Sequence, residues 1–290
     1  MQNSVPTEYR GGNSWGILSV IEKSIKAKIG CKGVPLKDWN VNIYRGVITG
    51  FNEAFIITKQ TRDQLVADDP KSVEIIRPIL RGRDIKRYHY EFADLYLITT
   101  FPSLNYDIDK YPAVKKHFLD IGIERLEQTG KTYVINGEIV RARKKTSNKW
   151  FETQDSISYW DDFRKQKIVY REISDAMDAC IVEPDIYLNN KCYILTGEHL
   201  KYLICIFNSQ LFTKIILNNT NLTGGKGYGF LGNVHIPIPN EQCESKFERL
   251  YELLINSGTE NQEKIELSIN EAVFSLYDLT DEEKATVLSN

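Results

Sequence analysis

The sequence predicts an α+β chain, a mixed α/β region with a C-terminal helical spacer, and three observations carry that reading. Short apolar runs of strand length alternate with helix-period stretches as far as residue 239. From residue 240 onward only helical periodicity remains. The composition over 290 residues, 42% hydrophobic, 11% aromatic and 26% charged, is that of a globular protein able to bury a core without staples. It excludes a disordered tail, a collagen-like rod and a small disulfide scaffold. The division expected is an N-terminal helical segment over 1–30, a principal domain over 31–239 and a helical spacer or docking segment over 240–290.

Residues 13–28 place Ile17, Leu18, Ile21 and Ile25 at helical spacing, with Asn13 or Ser14 to cap the start and Gly30 to end it. Residues 41–57 alternate apolar and polar positions around Gly46 and Gly50, the pattern of short strands joined by tight bends. A short helix over 61–67 ends at Asp68-Asp69-Pro70, and Pro78 argues against an unbroken helix over 71–80. Strands are expected over 95–101, 167–173 and 191–196, and helices over 111–128 and 200–217. Residues 218–232, polar and carrying five glycines, read as a loop. Pro237 and Pro239 make 235–239 extended. Two apolar stripes follow, one through Phe247, Leu250, Tyr251 and Leu254, the other through Ile265, Leu267, Ile269, Val273 and Leu276. The Ser257-Gly258 turn between them predicts an antiparallel helical pair. Thr280 and Glu283 are spaced as a capping box for a last short helix.

The net charge of −2 favours neither nucleic acid nor an acidic membrane, but it conceals an asymmetry. Residues 240–290 hold twelve acids against four bases, a net of −8, which leaves +6 for residues 1–239. Such a split predicts that the two parts face different partners. Five scattered cysteines without a C-x-x-C pair argue against structural zinc and for free thiols in a reducing compartment. With no signal segment and no apolar run near the roughly 20 residues of a membrane helix, a cytoplasmic location is expected.

Two segments concentrate positive charge. Residues 77–90 carry Arg77, Arg81, Arg83, Lys86 and Arg87 against Asp84, and Gly82 bends the backbone between two guanidinium forks suited to phosphates or a guanine edge. Residues 141–151 carry Arg141, Arg143, Lys144, Lys145 and Lys149 ahead of Trp150 and Phe151, with Thr146, Ser147 and Asn148 between. Cations for phosphates, small polar groups for backbone oxygens and aromatics for stacking make a nucleic-acid pattern. The same residues also read as a solvated turn and as a β-hairpin tip with both aromatics turned into the core. Lys226 and Tyr228, in the run Gly225-Lys226-Gly227-Tyr228-Gly229, are offered as contacts on a mobile backbone. That run follows a polar stretch rather than a strand, the wrong setting for a nucleotide loop.

Catalytic signatures mostly fail. No proline is followed by a proline, so the Asn-Pro-Pro-aromatic loop of amino-methyltransferases is missing. Pro184-Asp185 and Glu244-Ser245-Lys246 match a nuclease pattern only across about sixty residues, the spacing chance supplies. The four histidines show no metal spacing, and there is no G-x-S-x-G elbow. The chain reads as a binder.

Residues 35–55, through Tyr44-Arg45-Gly46 and Thr49-Gly50, resemble the opening of the TaqI-like C-terminal specificity domain. This is the target-recognition domain of adenine DNA methyltransferases and of type IIG, Eco57I-like restriction-modification enzymes. Residues 69–88, centred on Arg81-Gly82-Arg83-Asp84, resemble its second block, and 150–159, 167–174, 196–202 with Asn208-Ser209, and 236–239 follow in the family's order. The resemblance covers 13–239, residues 176–187 depart from it, and 240–290 resembles the helical spacer of such proteins. It implies sequence-specific recognition of double-stranded DNA, and the contacts expected from the two basic segments are Arg81, Arg83, Lys86, Arg87, Arg143, Lys144, Lys145 and Lys149, most to phosphates and a minority to bases. Methyl transfer from S-adenosylmethionine and Mg²⁺-dependent cleavage belong, by the same resemblance, to domains that precede this one, so neither cofactor is expected here. The chain is expected as a fragment of a longer enzyme or as a specificity subunit docking a separate methyltransferase or endonuclease. Two rivals are a protein-interaction module working through the acidic helices and a chain that itself methylates or cuts DNA. Gly46 and Gly50 are given structural roles; Thr49 and Asn52 either lock the turn or face DNA.

Overall fold

The computed structural model describes residues 19–172, 174, 176–217 and 227–289. Its helices are α1 (Val20–Lys32), α2 (Asn52–Phe55), α3 (Lys59–Asp68), α4 (Pro112–Ile121), α5 (Ile123–Leu126), α6 (Leu200–Phe207), α7 (Tyr228–Leu231), α8 (Glu241–Ile255), α9 (Thr259–Leu276) and α10 (Asp281–Ser289). Its strands are β1 (Val34–Pro35), β2 (Val41–Arg45), β3 (Ile56–Thr58), β4 (Ile76–Leu80), β5 (Leu95–Ile98), β6 (Thr132–Ile135), β7 (Glu138–Arg141), β8 (Lys167–Arg171), β9 (Ala179–Val182), β10 (Tyr187–Leu188), β11 (Cys192–Gly197) and β12 (His235–Ile236).

An antiparallel sheet ordered β2-β11-β8-β9 divides the apolar interior in two. Alternation along its strands sends Ile168, Tyr170 and Leu195 to one face, and Val169, Cys192 and Ile194 to the other. Lys167–Tyr170 are all buried, which is why β8 reads as a continuous run rather than an alternating one. The first face packs on α6 and, beyond it, on α1, α8, α9 and α10. The second packs on a sheet ordered β10-β4-β5-β3 and on α2–α4. The mixed α+β class is therefore the observed one.

Several elements end where the sequence says they should. Asn240 caps α8 by accepting the Cys243 N–H at 2.8 Å, and Thr280 with Glu283 forms the reciprocal box at the head of α10. Other boundaries move. The first helix is capped by Ser19 with Glu22 and runs through Gly30 to Lys32, because nothing crowds Gly30 and the chain turns only at Gly33. Residues 13–18 lie outside the described residues. The helix expected over 111–128 breaks at Gly122, whose φ of +106° a side chain rarely tolerates. Residues 200–217 divide at Asn208, whose amide bonds both the N–H and the C=O of Ala179 at 3.0 and 2.8 Å and so ties α6 to β9. Pro78 is accommodated in β4, preceded by a 3₁₀ turn over Pro70–Ile75.

The segment over 240–290 is not set apart. Phe247, Tyr251, Leu254, Ile269, Val273, Phe274 and Tyr277 lie in the same core as α6. Five unpaired cysteines complete the inventory, with Cys180, Cys192 and Cys205 buried. Among the described residues no helix is long and apolar enough to cross a membrane.

Candidate nucleic-acid interface

Three strands of the central sheet finish at one end with a cation. Arg45 closes β2, Arg171 closes β8 and Lys191 precedes β11, where Tyr193 pairs with Arg45 and Cys192 with Arg171. Glu172 sits among them, 2.5 Å from the Arg45 guanidinium and 3.8 Å from the Lys191 ammonium, while Arg171 pairs with Asp178 at 2.6 Å. The Arg81–Asp84 turn lies against this end because a Cβ built on Gly82 would stand only 3.5 Å from Lys191 Cβ. Arg81 forks onto Asp84 at 2.7 and 2.9 Å. Burial by itself raises the Asp84 carboxyl, but the guanidinium and its N–H hold it below the usual carboxylate range. Arg83, exposed, makes no ion pair among the described residues.

The second basic segment reaches the same end through Asp155. Burial raises that half-buried carboxyl, against the smaller opposing pull of Arg45 and of Lys144. Lys144, Lys145 and Arg141 are exposed and unpaired among the described residues. Gly227 presses on the Tyr193 ring, where a Cβ would meet the hydroxyl at 2.9 Å, so this glycine borders the region too. Tyr228 is exposed; Lys226 lies outside the described residues.

Other expected contacts are engaged elsewhere. Arg143 is buried, and its N–H groups make five hydrogen bonds of 2.6–2.8 Å to the carbonyls of Leu126, Thr49, Glu152 and Trp150. A guanidinium has five N–H donors, so none is left for a phosphate. Arg87 pairs with Glu266 of α9 at 2.8 Å and Lys86 with Glu91 at 3.5 Å. The basic segment and the acidic helix thus meet each other at this point, rather than facing apart. Lys149 bonds Asn105 at 3.1 Å and lies near Glu152. Phe151 is buried and Trp150 packs edge-on to Phe118, so these aromatics belong to the core. Thr49, buried, donates to Asn52 at 2.7 Å and accepts the Phe51 N–H, so the pair braces this turn, with Asn52 exposed.

The sequence reading passed over Arg45, Arg171 and Lys191, although a cation at the end of each of three expected strands was the available signal. It also passed over a hairpin. β6 and β7 are joined by Asn136-Gly137, with φ values of +52° and +84°, the two-residue turn that Asn-Gly favours. Residues 141–151 follow that hairpin instead of forming its tip.

Among the described residues no group of three or more His, Cys, Asp or Glu is placed to hold a metal ion. Lys167 is drawn down to about 8 by burial, and its ammonium is spent on the carbonyls of Phe163, Lys165 and Glu183.

No functionally curated protein matches the chain in sequence. Among solved structures it overlays the type IIL restriction-modification enzyme MmeI, determined in complex with DNA, with a TM-score of 0.60 at 13% identity. That overlay covers 89% of this chain and 35% of the MmeI chain, so the chain spans about a third of that enzyme's length. The type IIG restriction endonuclease BpuSI overlays with a TM-score of 0.46 at 11% identity, over 89% of this chain and 33% of its own. The family match begins at Arg77, later than the resemblance expected from residue 13, and takes in both basic segments and the glycine loop. Residues 77–228, just over half of the sequence, match the TaqI-like C-terminal specificity domain, and the chain belongs to that family.

Proposed function

We propose that this chain recognises double-stranded DNA as the target-recognition domain of a restriction-modification enzyme of the type IIG kind. The observation that carries the reading is the gathering of Arg83, Arg45, Lys191 and Lys144 toward one end of the central sheet, inside a specificity-domain fold. Exposed cations there neutralise phosphates and fix register, while sequence is read by the few groups that reach base edges.

Methyl transfer and cleavage, with S-adenosylmethionine and Mg²⁺, are assigned in this proposal to other domains or a partner subunit. The described residues offer neither group a site. Gly227 is pressed onto the Tyr193 ring and leads into the four-residue α7, so no room for a nucleotide phosphate opens at that glycine. Three of the carboxylates near the basic end, Asp84, Glu172 and Asp178, are each paired with arginine.

The test is charge reversal at Lys144 and Lys145 together. Binding to a 30-base-pair duplex, followed by fluorescence anisotropy across a salt series, should weaken, and the slope of log affinity against log salt should flatten by about two units. Equal affinity and equal slope would remove these lysines from the interface.

A further inference from the structure

The β6–β7 hairpin presents the two most exposed large apolar side chains among the described residues, Val134 at 74% and Ile139 at 77%. They are directly opposed across the strands and so share one face, with Thr132 and Arg141, also opposed, one step along it. The other face carries Tyr133 and buried Val140, and the Tyr133 hydroxyl bonds Glu127, which seats that side on the body of the protein. The arm is therefore held by one face and bare on the other.

A two-stranded hairpin is marginal in water by itself, so its root must be secured. Arg143 does that. Its backbone exchanges hydrogen bonds with Glu127 and Gly130 at the base of the arm, while its buried side chain grips Thr49, Leu126, Trp150 and Glu152. At the far end Asn136-Gly137 sets a turn matched to the strand twist. Lys131, Arg141, Lys144 and Lys145, all exposed, flank the bare face or its root, against Glu138 as the acid within the arm. An apolar pair on a ribbon with cations clustered at its root is complementary to a polyanion whose groove floor carries methyl groups and whose rim carries phosphates. The DNA major groove admits a two-stranded ribbon and displays the thymine C5 methyl there.

We infer that the β6–β7 hairpin is a reading arm that enters the DNA major groove, with Val134 and Ile139 packed on thymine methyls and Arg141, Lys144 and Lys145 on the flanking phosphates. The inference rests on the DNA-recognition reading above and adds to it the elements that choose the sequence.

The test uses the full chain and its V134S/I139S variant, checked for an unchanged thermal melt, since both side chains are already exposed. Each is used to select bound duplexes from a pool randomised over 30 base pairs. The wild type should enrich a site containing A·T positions, and the variant should lose preference at those positions, a roughly tenfold drop in site over random duplex. Replacing thymine by deoxyuridine in the selected site should cost the wild type a similar factor and cost the variant nothing further, because the two changes remove the same contact. If the wild type selects a site and the variant selects the same one with the same deoxyuridine sensitivity, the arm is not a reader and its face belongs to a protein neighbour. A variant that loses random and selected duplex equally also overturns base reading. If the wild type neither binds the pool nor enriches any site, the DNA-recognition reading itself fails, and the arm with it.

Discussion

At the scale of single residues, charge in this protein is used in two ways that look alike in sequence. Arg143 and its neighbours Lys144 and Lys145 belong to one basic run, yet Arg143 is turned inward over the Phe55 ring and saturated by carbonyls while the lysines face solvent. Arg143→Lys keeps the charge but not the planar fork, leaving several buried carbonyls unmet. It should cost about 2–4 kcal/mol in urea unfolding, and because no phosphate contact is lost the slope of DNA affinity against salt should be unchanged in the molecules that remain folded, even where a loosened hairpin root weakens binding. Glu283 is a second inward charge. Burial alone would raise its carboxyl, but Lys28 at 2.6 Å, the Thr280 N–H and the Ser24 hydroxyl bring it down to about 2. A carboxyl depressed in the folded state contributes stability that is full above its unfolded value near 4.5 and is lost as pH falls toward about 2. Glu283→Gln should therefore lower stability by about 1–3 kcal/mol at neutral pH and flatten the acid limb of a stability–pH curve between about 4.5 and 2. An acid limb identical to the wild type would show that the clasp between α1 and α10 contributes nothing.

Elements are joined at a seam between the two larger sheets. Gly46 follows β2 directly, donates to Cys192 at 2.8 Å, and passes so close to the β10–β11 turn that a Cβ would meet the Asn189 carbonyl oxygen at 2.1 Å. Val47 continues the contact by donating to Leu188 at 2.7 Å. Because the obstacle is backbone, no side chain can swing aside. Gly46→Ala should cost about 1–3 kcal/mol and lower the melting temperature. A neutral substitution would mean that the seam is looser than these distances require. The element also sets the position of Arg45, so the same change should weaken DNA binding beyond its effect on the folded fraction.

The whole molecule closes around the central sheet, and its C-terminal helices are part of that closure. Phe247, Tyr251 and Leu254 from α8 and Ile269, Val273 and Phe274 from α9 cover α6, whose Tyr202–Phe207 run is buried along its length. Deleting residues 240–290 should therefore give a chain that no longer unfolds cooperatively, read as loss of a sigmoidal thermal transition in circular dichroism. A truncated chain that melts like the parent would restore the picture of a detachable spacer. The Arg87–Glu266 pair ties the basic turn to the same helices, so the charge asymmetry of the sequence is partly neutralised within one molecule.

Much of the architecture was written locally. Apolar periodicity, proline positions and a cap residue such as Thr280 act within a few neighbours, so many strand and helix locations, the helical pair and the last capping box could be read directly, while the β6–β7 hairpin, the short α2 and the breaks at Gly122 and Asn208 were not. The family's blocks from Arg77 onward were likewise legible, as were the structural roles of Gly46 and Gly50. What the sequence could not determine was which member of a charged run points inward. Lys144 and Arg143 are adjacent in the chain, and only the carbonyls of Thr49, Leu126 and Glu152, brought together from distant segments, bury one and leave the other in water. The meeting of Arg45, Arg83, Lys144 and Lys191 is of the same kind, since strand pairing and the bend at Gly82 unite residues far apart in the chain. Local propensity fixes elements because its energies act between near neighbours, whereas burial and charge pairing depend on contacts that exist only once the sheet has closed.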